Sequence, residues 1–418
     1  MMLVWAGSQT VAGALDRNQS TFLFSYDRGC RDTSAVSLTM PVTLQSYDYL
    51  SLHPIFQMNL PEGMMLRAIE NRLRKAIPYL DQFELLRHVG TSQIGRLRYS
   101  NDATLAAIPA QDIDEILRDR GTLDLKQHLF DTYLSSSGVS GVQPKILLRA
   151  KVDGKLEIAK MATTGATHLV KTFDEDEYPH LATNEFFCMR AAFHAGLPVP
   201  KIQLSDNGQF LVIERFDLAA DGTYIGFEDF CVLSALNSDR KYDASYEEVA
   251  TRIMQFVSPQ SSLTALKQFF TSVTLSCAVF NGDAHLKNFG VLYTDSQSKV
   301  VFAPTYDIVT TAVYQPFDTM ALTLQGKKLF PRYRQLLKFG MKNCKIPSRE
   351  VAAIIEKVSD AVAKTRTELQ QHVSTCPEFR NVGTSMLNCW EAGVARINEK
   401  EQTDMQEVRN TKSTSGLW

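Results

Sequence analysis

Residues 281–289, NGDAHLKNF, place an aspartate and an asparagine five positions apart, directly after an apolar stretch typical of a helix. A second aspartate, Asp307, follows in the stretch PTYDI. In phosphoryl transfer, one carboxylate orients the attacking hydroxyl, while an amide and a second carboxylate hold magnesium on the triphosphate. Asp283, Asn288 and Asp307 are therefore candidates for these three roles.

Each of these residues also has a simpler structural interpretation. Asp283 would accept the proton of the acceptor hydroxyl, but the tripeptide 281–283 alone is typical of a turn. Asp307 alone would be an N-cap for a helix from residue 308. His285 is better explained as a hydrogen-bonding side chain that supports the loop. Lys287 either contacts the transferred phosphate or is solvated, and the sequence does not favour one over the other.

The order of the polar residues along the chain favours chemistry. Lys171 ends a strand-like segment, and Glu185 lies fourteen residues later on a predicted helix. Such a pair holds the lysine against the α- and β-phosphates of a nucleotide. The series Lys171, Glu185, hairpin, linker, Asp283, Asn288, Asp307 follows the order found in protein kinases. The spacing from Asp283 to Asn288 also matches the kinase catalytic loop, although the His-Arg-Asp triplet is absent.

Two further segments could contact a nucleotide. Residues 135–145 lack a GxGxxG pattern, but Gly138 and Gly141 would let backbone N–H groups approach phosphate, and Gln143 and Lys145 add donors. The alternative is a flexible surface loop whose serines are candidates for self-phosphorylation. Residues 214–217, ERFD, lie at the predicted junction of two lobes, where backbone groups would hydrogen-bond adenine.

Composition excludes several other classes of protein. The chain has 418 residues, of which 44% are apolar and 22% charged, with a net charge of −2, so a bulk electrostatic grip on nucleic acid is not expected. Seven scattered cysteines without a CxxC pair are expected to be reduced thiols rather than zinc ligands. No apolar run approaches the length of a membrane span, and the N-terminus lacks a basic region followed by an apolar core, which favours the cytoplasm.

Apolar periodicity predicts an α+β protein whose strand-rich half precedes a helical half, with a cleft near residue 215. The predicted divisions are a small N-terminal α/β subdomain at 1–110, the remainder of an N-lobe at 111–216, a helical C-lobe at 217–398 and a disordered tail at 399–418. The predicted strands are 4–15, 21–26, 96–99, 146–149, 156–172, 199–204, 209–214 and 300–303. The predicted helices are 64–75, 81–89, 182–194, 227–236, 246–256, 262–280, 330–341, 349–369 and 384–398, with two short ones within 111–134.

Taken together, the motifs resemble those of the HipA family of serine/threonine kinases, the toxins of bacterial HipBA-type toxin–antitoxin systems. The resemblance covers roughly residues 3–395. It is carried by residues 11–15, 59–63 and 90–97 in the N-terminal part, and more specifically by 140–145 (SGVQPK), 184–185, 214–217, 282–289 and 306–308 (YDI).

The resemblance implies a protein-kinase-like two-lobe fold, ATP as phosphate donor and Mg²⁺ as cofactor. It implies a protein substrate from translation, such as an aminoacyl-tRNA synthetase. It also implies a HipB-like helix-turn-helix antitoxin, through which the toxin contacts DNA indirectly. It assigns Asp283 to catalysis, Asn288 and Asp307 to the metal, and Lys171 to the nucleotide. We further predict Lys287 for catalysis, and for ATP binding Gly141, Val142, Gln143, Lys145, Glu185, Glu214, Phe216 and His285.

The phosphate loop departs from the family pattern in one respect. The regulatory serine of the family lies three residues before the motif glycine, a position occupied here by Gly138. The nearest hydroxyls are Ser140 and Ser137, which are the two predicted self-phosphorylation sites. Two alternatives to a protein kinase remain at this point: a small-molecule phosphotransferase of the same fold, and a weakly catalytic co-repressor that acts through a DNA-binding antitoxin.

Overall fold

The computed structural model describes residues 1–400 apart from 8, 9, 19, 20, 75, 76, 78, 79, 101–107, 122, 135, 136, 142 and 152–164. Val142, most of the strands predicted within 156–172 and nearly all of the predicted tail lie outside the described residues. The rest forms three sheets and a set of helices, so the predicted α+β class is confirmed. The domain limits at 110, 216 and 398 stay predictions.

The first sheet has five antiparallel strands in the order β4-β3-β2-β1-β5. Three helices cover it, and their apolar side chains form one core with Phe24, Phe56 and Tyr99. The strands are β1 Met2–Ala6, β2 Val11–Asn18, β3 Thr21–Tyr26, β4 Tyr47–Tyr49 and β5 Leu97–Ser100, and the helices are α1 Pro54–Gln57, α2 Gly63–Leu73 and α3 Gln82–Val89. We call residues 2–100 the N-terminal unit.

The single strand predicted over 4–15 is wrong. The chain reverses after β1, where Gly7 has φ of +82°, and β2 pairs back on β1 with Met2 opposite Leu15. The stretch GSQT at residues 7–10 interrupts the apolar residues and was the available signal for this turn. By contrast, the predictions for 21–26 and 81–89 agree with β3 and α3 to within one residue.

The second sheet carries the lysines of the site. Its strands are β6 Ala110–Gln111, β7 Lys145–Ala150, β8 His168–Lys171, β9 Ile202–Leu204 and β10 Leu211–Glu214, in the order β6-β7-β8-β10-β9. The predicted hairpin around 206–208 is confirmed, since β9 and β10 pair in antiparallel register. The helices of this part are α4 Ile113–Leu117, α5 Leu123–Tyr133 and α6 Leu181–His194, of which α6 packs beside β9 and β10.

A three-stranded sheet connects the lobes. Its strands are β11 Gly226–Asp229, β12 Gly290–Tyr293 and β13 Val301–Phe302. The helix predicted over 227–236 is therefore wrong in its first half: residues 226–229 pair with β12, and only the short helix α7 Phe230–Leu233 follows. Asp229 ends the strand and begins the helix, because its carboxylate accepts a hydrogen bond from Val232 N.

The helical half contains α8 Tyr246–Phe256, α9 Pro259–Ala278, α10 Tyr333–Lys342, α11 Ser348–Thr375 and α12 Arg380–Asn398. Helix α9 runs through the centre of this half, where Phe269 and Phe270 are fully buried. All seven cysteines are free thiols, as predicted. Within the part of the chain that the structure describes, no helix is long and apolar enough to cross a membrane.

The last helix, α12, reaches back to the centre of the molecule. The Trp390 indole donates a hydrogen bond of 2.7 Å to Thr310 Oγ1, and both side chains are buried. Asn184 on α6 accepts from Thr310 N at 2.9 Å and donates to Thr310 O at 3.1 Å. The backbone three residues after Asp307 is thus held by two helices that are distant in sequence.

Candidate active site

Two buried lysines lie on neighbouring strands of the second sheet. Lys145 begins β7 and Lys171 ends β8, and the antiparallel register sets them directly opposite each other. Lys171 Nζ donates to Glu185 Oε1 at 2.6 Å and Oε2 at 2.9 Å, and to Asp307 Oδ1 at 2.5 Å. The predicted pair of Lys171 and Glu185 therefore exists, and Asp307 joins it from a segment 136 residues away.

Burial and charge shift the pKa values of these groups. Burial lowers the pKa of Lys171, but the carboxylates of Asp307 and Glu185 outweigh it and hold the pKa above its ordinary value. Burial acts to raise the pKa of Asp307, yet Lys171 and Lys145 outweigh it and keep this carboxyl ionised. Burial, with a smaller effect of Lys171, lowers the pKa of Lys145 to about 8. Each shift follows from desolvation set against nearby charge.

Asp307 has an unusual backbone conformation. Its φ is +60°, in the left-handed region that few non-glycine residues adopt. Residues 304–310 form no helix, and a short 3-10 turn begins only at Thr311, so Asp307 is not an N-cap. Tyr306 packs its ring on Phe216 at 5.5 Å between centroids. The contacts of the following segment with α6 and α12 maintain this conformation.

The segment 281–289 is an ordered loop rather than a simple turn. Asn281 Oδ1 accepts from Asp283 N at 3.1 Å, and Asn288 Nδ2 donates to Asp283 O at 2.9 Å, so the two predicted site residues are joined through the loop backbone. Tyr242 OH donates to Asp283 Oδ1 at 2.8 Å. The Asp283 side chain is 51% exposed and faces the cleft, where an acceptor hydroxyl can reach it.

His285 lies beneath this loop. Its ring is buried, packs edge-on against Tyr242 at 5.1 Å, and sets Nε2 3.8 Å from Asp283 Oδ1. Burial lowers the pKa of His285, so the imidazole is neutral at pH 7. A neutral ring at 3.8 Å is not an ion-pair partner, which favours the interpretation of His285 as support for the loop. Its Nδ1 is buried without a hydrogen-bond partner among the described residues.

The phosphate loop lies against Lys145. Gly141 has φ of +124°, a conformation that favours glycine, and a Cβ there would lie 2.3 Å from Lys145 Nζ, so the ammonium would have to move. Gln143 lines the same cleft, and its Oε1 is buried with no partner among the described residues. Two unsatisfied buried polar atoms, this oxygen and His285 Nδ1, line one cleft and suit a polar ligand.

The two candidate serines differ in access. Ser137 is fully buried, where its hydroxyl donates to Tyr133 O at 2.7 Å and accepts from Leu147 N at 2.8 Å. Ser140 is half-buried at the cleft and donates to Glu62 Oε1 at 2.5 Å. Of the two hydroxyls, Ser140 alone borders the cavities described next.

Two adjoining cavities meet at these residues. An inner cavity of about 130 Å³ runs under the phosphate loop, and an outer one of about 400 Å³ opens over Asp283. Four residues line both: Gly141, Lys145, Lys241 and Asp307. The inner walls are mainly apolar, with Ile94, Leu169, Met189, Ile213, Phe216, Phe227 and Tyr306. A planar apolar group fits within, and a charged group fits where the cavities meet.

Glu214 does not line either cavity, and its role in nucleotide binding stays a prediction. Its N–H is already bonded to Lys201 O, and its carboxylate pairs with the exposed Lys201 ammonium at 2.8 Å. Phe216, two residues later, does line the inner cavity. The side chains of Arg215 and Asp217 form a buried ion pair that also bonds Gly95 N and Gln93 O, and so hold the N-terminal unit.

The residues predicted to hold a metal suit Mg²⁺. Asn288 and Asp307 both line the inner cavity. Asp307 uses Oδ1 for Lys171, and Asn288 uses Nδ2 for the loop, which leaves one oxygen on each for a cation. Mg²⁺ takes one or two protein oxygens and completes its octahedron with phosphate and water. Among the described residues, no group of three or more His, Cys, Asp and Glu side chains could hold a metal by itself.

Three further residues border the site without having been singled out from the sequence for a role in it. Glu62 accepts from Lys287 Nζ and Lys241 Nζ, each at 2.8 Å, and Tyr242 bonds Asp283. Glu62 lies in the stretch NLPEG, just before a predicted helix, and this position was the only indication in the sequence that Glu62 could have a specific role. Lys241 and Tyr242 carry no motif, and their role follows from the folded chain alone.

Comparison with known proteins agrees with this geometry. Residues 137–366, more than half of the chain, match the HipA-like C-terminal domain, and residues 2–100 match the HipA N-terminal domain. Over 389 residues the chain is 25% identical to Y4mE of Sinorhizobium fredii, a protein named provisionally as a kinase, and the match covers 86% of this chain and 90% of that protein.

Two comparisons involve Shewanella oneidensis. The serine/threonine-protein kinase toxin HipA of that organism is 24% identical over 331 residues, which cover 73% of each chain. A solved structure of its toxin–antitoxin system, HipA with HipB and operator DNA, superimposes with a TM-score of 0.67 at 20% identity, covering 95% of this chain and 97% of that chain. The likeness in structure shows a shared fold, and the domain matches show that the chain belongs to the HipA family.

Proposed function

We propose that this protein is an ATP-dependent serine/threonine protein kinase that acts as the toxin of a HipBA-like system. The observation that carries the proposal is the contact of Lys171 with both Glu185 and Asp307, at the point where an apolar cavity meets a cleft over Asp283. A nucleotide needs such an arrangement, because its base is planar and apolar while its phosphates are charged.

Each residue then has a role in positioning or charge. Adenine lies in the inner cavity beside Phe216, and the phosphates lie where Gly141, Lys145 and Asp307 border both cavities. Bound Mg²⁺, held by Asn288 and Asp307, would neutralise phosphate charge. Asp283 orients the acceptor hydroxyl and accepts its proton.

The outer cavity favours a protein acceptor. Asp283 is half-exposed at its mouth, so a serine or threonine on a surface segment of another protein can reach the carboxylate. A translation enzyme such as an aminoacyl-tRNA synthetase is the proposed class of target. Ser140, half-buried beside Lys287, is the proposed self-phosphorylation site, because Ser137 is fully buried.

A HipB-like helix-turn-helix antitoxin is the proposed partner. The support is the shared fold with the HipA of a complex that contains HipB and operator DNA. With a net charge of −2, the chain has no bulk attraction for DNA, so contact with DNA would be mainly through the antitoxin.

The test is phosphate incorporation by the purified protein with labelled ATP and Mg²⁺. Asp283→Ala and Asp307→Ala should abolish incorporation while circular dichroism shows that both variants stay folded. Asp221→Ala, which changes an exposed aspartate in a surface turn, is the matched control and should keep full activity. A folded Asp307→Ala protein that transfers phosphate at the wild-type rate would refute the assignment.

The nature of the acceptor is tested in cells. A phosphoproteomic comparison of wild type and Asp283→Ala should show a new phosphoserine or phosphothreonine on a cellular protein, and a phosphoserine at 140 that Ser140→Ala removes. Label that appears only in small metabolites would instead identify a small-molecule phosphotransferase of the same fold.

A further inference from the structure

Glu62 occupies an unusual position at the start of α2. It is the N-cap residue of this helix, yet its side chain makes no capping hydrogen bond. Serine, threonine, aspartate and asparagine are the usual N-caps because their short side chains reach the first free N–H groups. The Glu62 carboxylate therefore does not cap its own helix, and its hydrogen bonds lie elsewhere.

Those contacts join three separate segments at the cleft. Oε1 accepts from Ser140 Oγ at 2.5 Å and from Lys287 Nζ at 2.8 Å, and Oε2 accepts from Lys241 Nζ at 2.8 Å. Lys287 also donates to the Ser140 hydroxyl and, at 3.2 Å, to Ser238 Oγ. One carboxylate of the N-terminal unit therefore contacts Ser140 of the phosphate loop, Lys241 in the segment before α8, and Lys287 in the loop 281–289, which we call the catalytic loop.

The charges in this cluster are nearly enclosed. The side chains of Lys241 and Lys287 are 9% and 8% exposed, and that of Glu62 is 24% exposed. Burial acts to raise the pKa of Glu62, but the two ammonium groups outweigh it and keep the carboxylate ionised. Both lysines line the inner cavity, as does Asp229, whose carboxylate also interacts with Lys287.

We propose that Glu62 is a positioning residue that fixes the phosphate loop relative to the catalytic loop, so that the N-terminal unit is part of the catalytic apparatus. This inference rests on the proposed phosphoryl transfer. Transfer requires donor phosphate and acceptor to be aligned, and misplacement by about 1 Å can cost two orders of magnitude in rate. Because Glu62 lies behind both ammonium groups, it restricts their directions and keeps the loop that carries Ser140 in place.

The decisive variant is Glu62→Gln, which keeps the shape of the side chain and removes its charge. The kcat should fall on the order of tenfold to a hundredfold. The KM for ATP should not rise, because removing a negative charge beside the phosphates does not weaken the binding of an anion. Glu62→Asp, which restores the charge on a shorter side chain, should give an intermediate kcat.

The matched control is Glu70→Gln, a change on the exposed face of the same helix, which should leave both constants unchanged. Because a lower active fraction would also reduce the apparent kcat at unchanged KM, kcat is calculated from the concentration of sites that bind an ATP analogue. The proposal is overturned if folded Glu62→Gln keeps a kcat within about twofold of the wild type, or if it loses ATP affinity at unchanged kcat.

Hydrogen exchange on the unaltered protein tests the same contact without relying on turnover or on the folding of a variant. Adding Mg²⁺ and a non-hydrolysable ATP analogue should slow exchange at residues 64–66 as well as at 137–141. Protection at 137–141 with no change at 64–66 would overturn the proposal. A wild-type protein that shows both protections but transfers no phosphate would contradict the proposed function while leaving the role of Glu62 in fixing the loops supported.

Discussion

Lys145 and Lys171 lie opposite each other on β7 and β8, yet their pKa values move in opposite directions. Two like charges at paired positions of a sheet repel each other. Glu185 and Asp307 both accept hydrogen bonds from Lys171, whereas neither forms an ion pair with Lys145. Lys171 is therefore charged throughout the physiological range, and the charge of Lys145 depends on pH and on bound anions.

Nucleotide binding should take up protons above pH 8. The folded pKa of Lys145 is about 8, and a triphosphate beside it would favour the charged form. Calorimetric titration of an ATP analogue at pH 9, in two buffers of different ionisation enthalpy, measures the uptake. Lys145→Arg should abolish it, because arginine stays charged at this pH. Equal enthalpies in the two buffers for the wild type would exclude Lys145 as a phosphate contact.

The same residue should affect stability. Because its folded pKa lies below the ordinary lysine value, the unfolded chain binds more protons than the folded one between about pH 8 and pH 10.5. The contribution of Lys145 to the free energy of unfolding therefore rises with pH across this window, and its burial cost is fully present below it. The difference in free energy of unfolding between wild type and Lys145→Met, measured by urea unfolding, should be constant below pH 8 and should shift in favour of the wild type between about pH 8 and pH 10.5. Parallel profiles across this window would contradict the lowered pKa.

Removing Lys171 should be strongly destabilising. Lys171→Met leaves the carboxylates of Glu185 and Asp307 buried without their cation, which typically costs about 3–5 kcal/mol. The exposed pair of Lys201 and Glu214 is the matched control, and Lys201→Ala should change the free energy of unfolding by no more than about 1 kcal/mol. Urea denaturation at pH 7 compares the two. Similar losses for both variants would mean that the buried cluster contributes little.

Gly141→Ala should weaken nucleotide binding. At φ of +124° an alanine is strained by about 1–3 kcal/mol, and its Cβ would push the Lys145 ammonium out of place. The dissociation constant of an ATP analogue, measured by calorimetry, should rise by about tenfold or more. Gly29→Ala is the control, since a Cβ at that exposed position meets no atom within 4 Å. Unchanged affinity in folded Gly141→Ala would remove this loop from the nucleotide site.

Tyr242→Phe should lower kcat with little effect on the KM for ATP. The change removes only the hydroxyl that holds Asp283 Oδ1 at 2.8 Å, so the carboxylate keeps its charge and loses its orientation. Tyr47→Phe, which removes a hydroxyl bonded to Pro41 O on the far side of the N-terminal unit, is the matched control. Steady-state kinetics separate the two constants. A rise in kcat would show instead that Tyr242 competes with the acceptor for Asp283.

Local sequence signals account for the parts of the fold that were predicted well. Helix α8 has the predicted limits, 246–256, because apolar periodicity coincides with a capping box between Ser245 and Glu248. The helix predicted from residue 227 was wrong at its start for the opposite reason. Their strand depends on pairing with β12, more than sixty residues later, and a short apolar run gives no period by which to distinguish a strand from a helix.

The site likewise contains residues that local spacing predicts and contacts that it does not. Asp283 and Asn288 could be recognised because their spacing is local and the loop closes on itself. Lys171 and Glu185 could be paired only by analogy with the kinase order, and the contact of Lys171 with Asp307 was not predicted. Glu62 and Lys287, 225 residues apart, form a contact that no spacing predicts, because it depends on how the N-terminal unit packs on the rest of the chain.

The hydrogen bond from Trp390 to Thr310 links the segment after Asp307 to a helix that is translated 80 residues later. A nascent polypeptide that already carries Asp283, Asn288 and Asp307 still lacks the indole that bonds the Thr310 hydroxyl. On the proposed function, synthesis that stops before α12 yields an inert fragment, so a potentially self-harming enzyme gains its activity only when translation of that helix is complete.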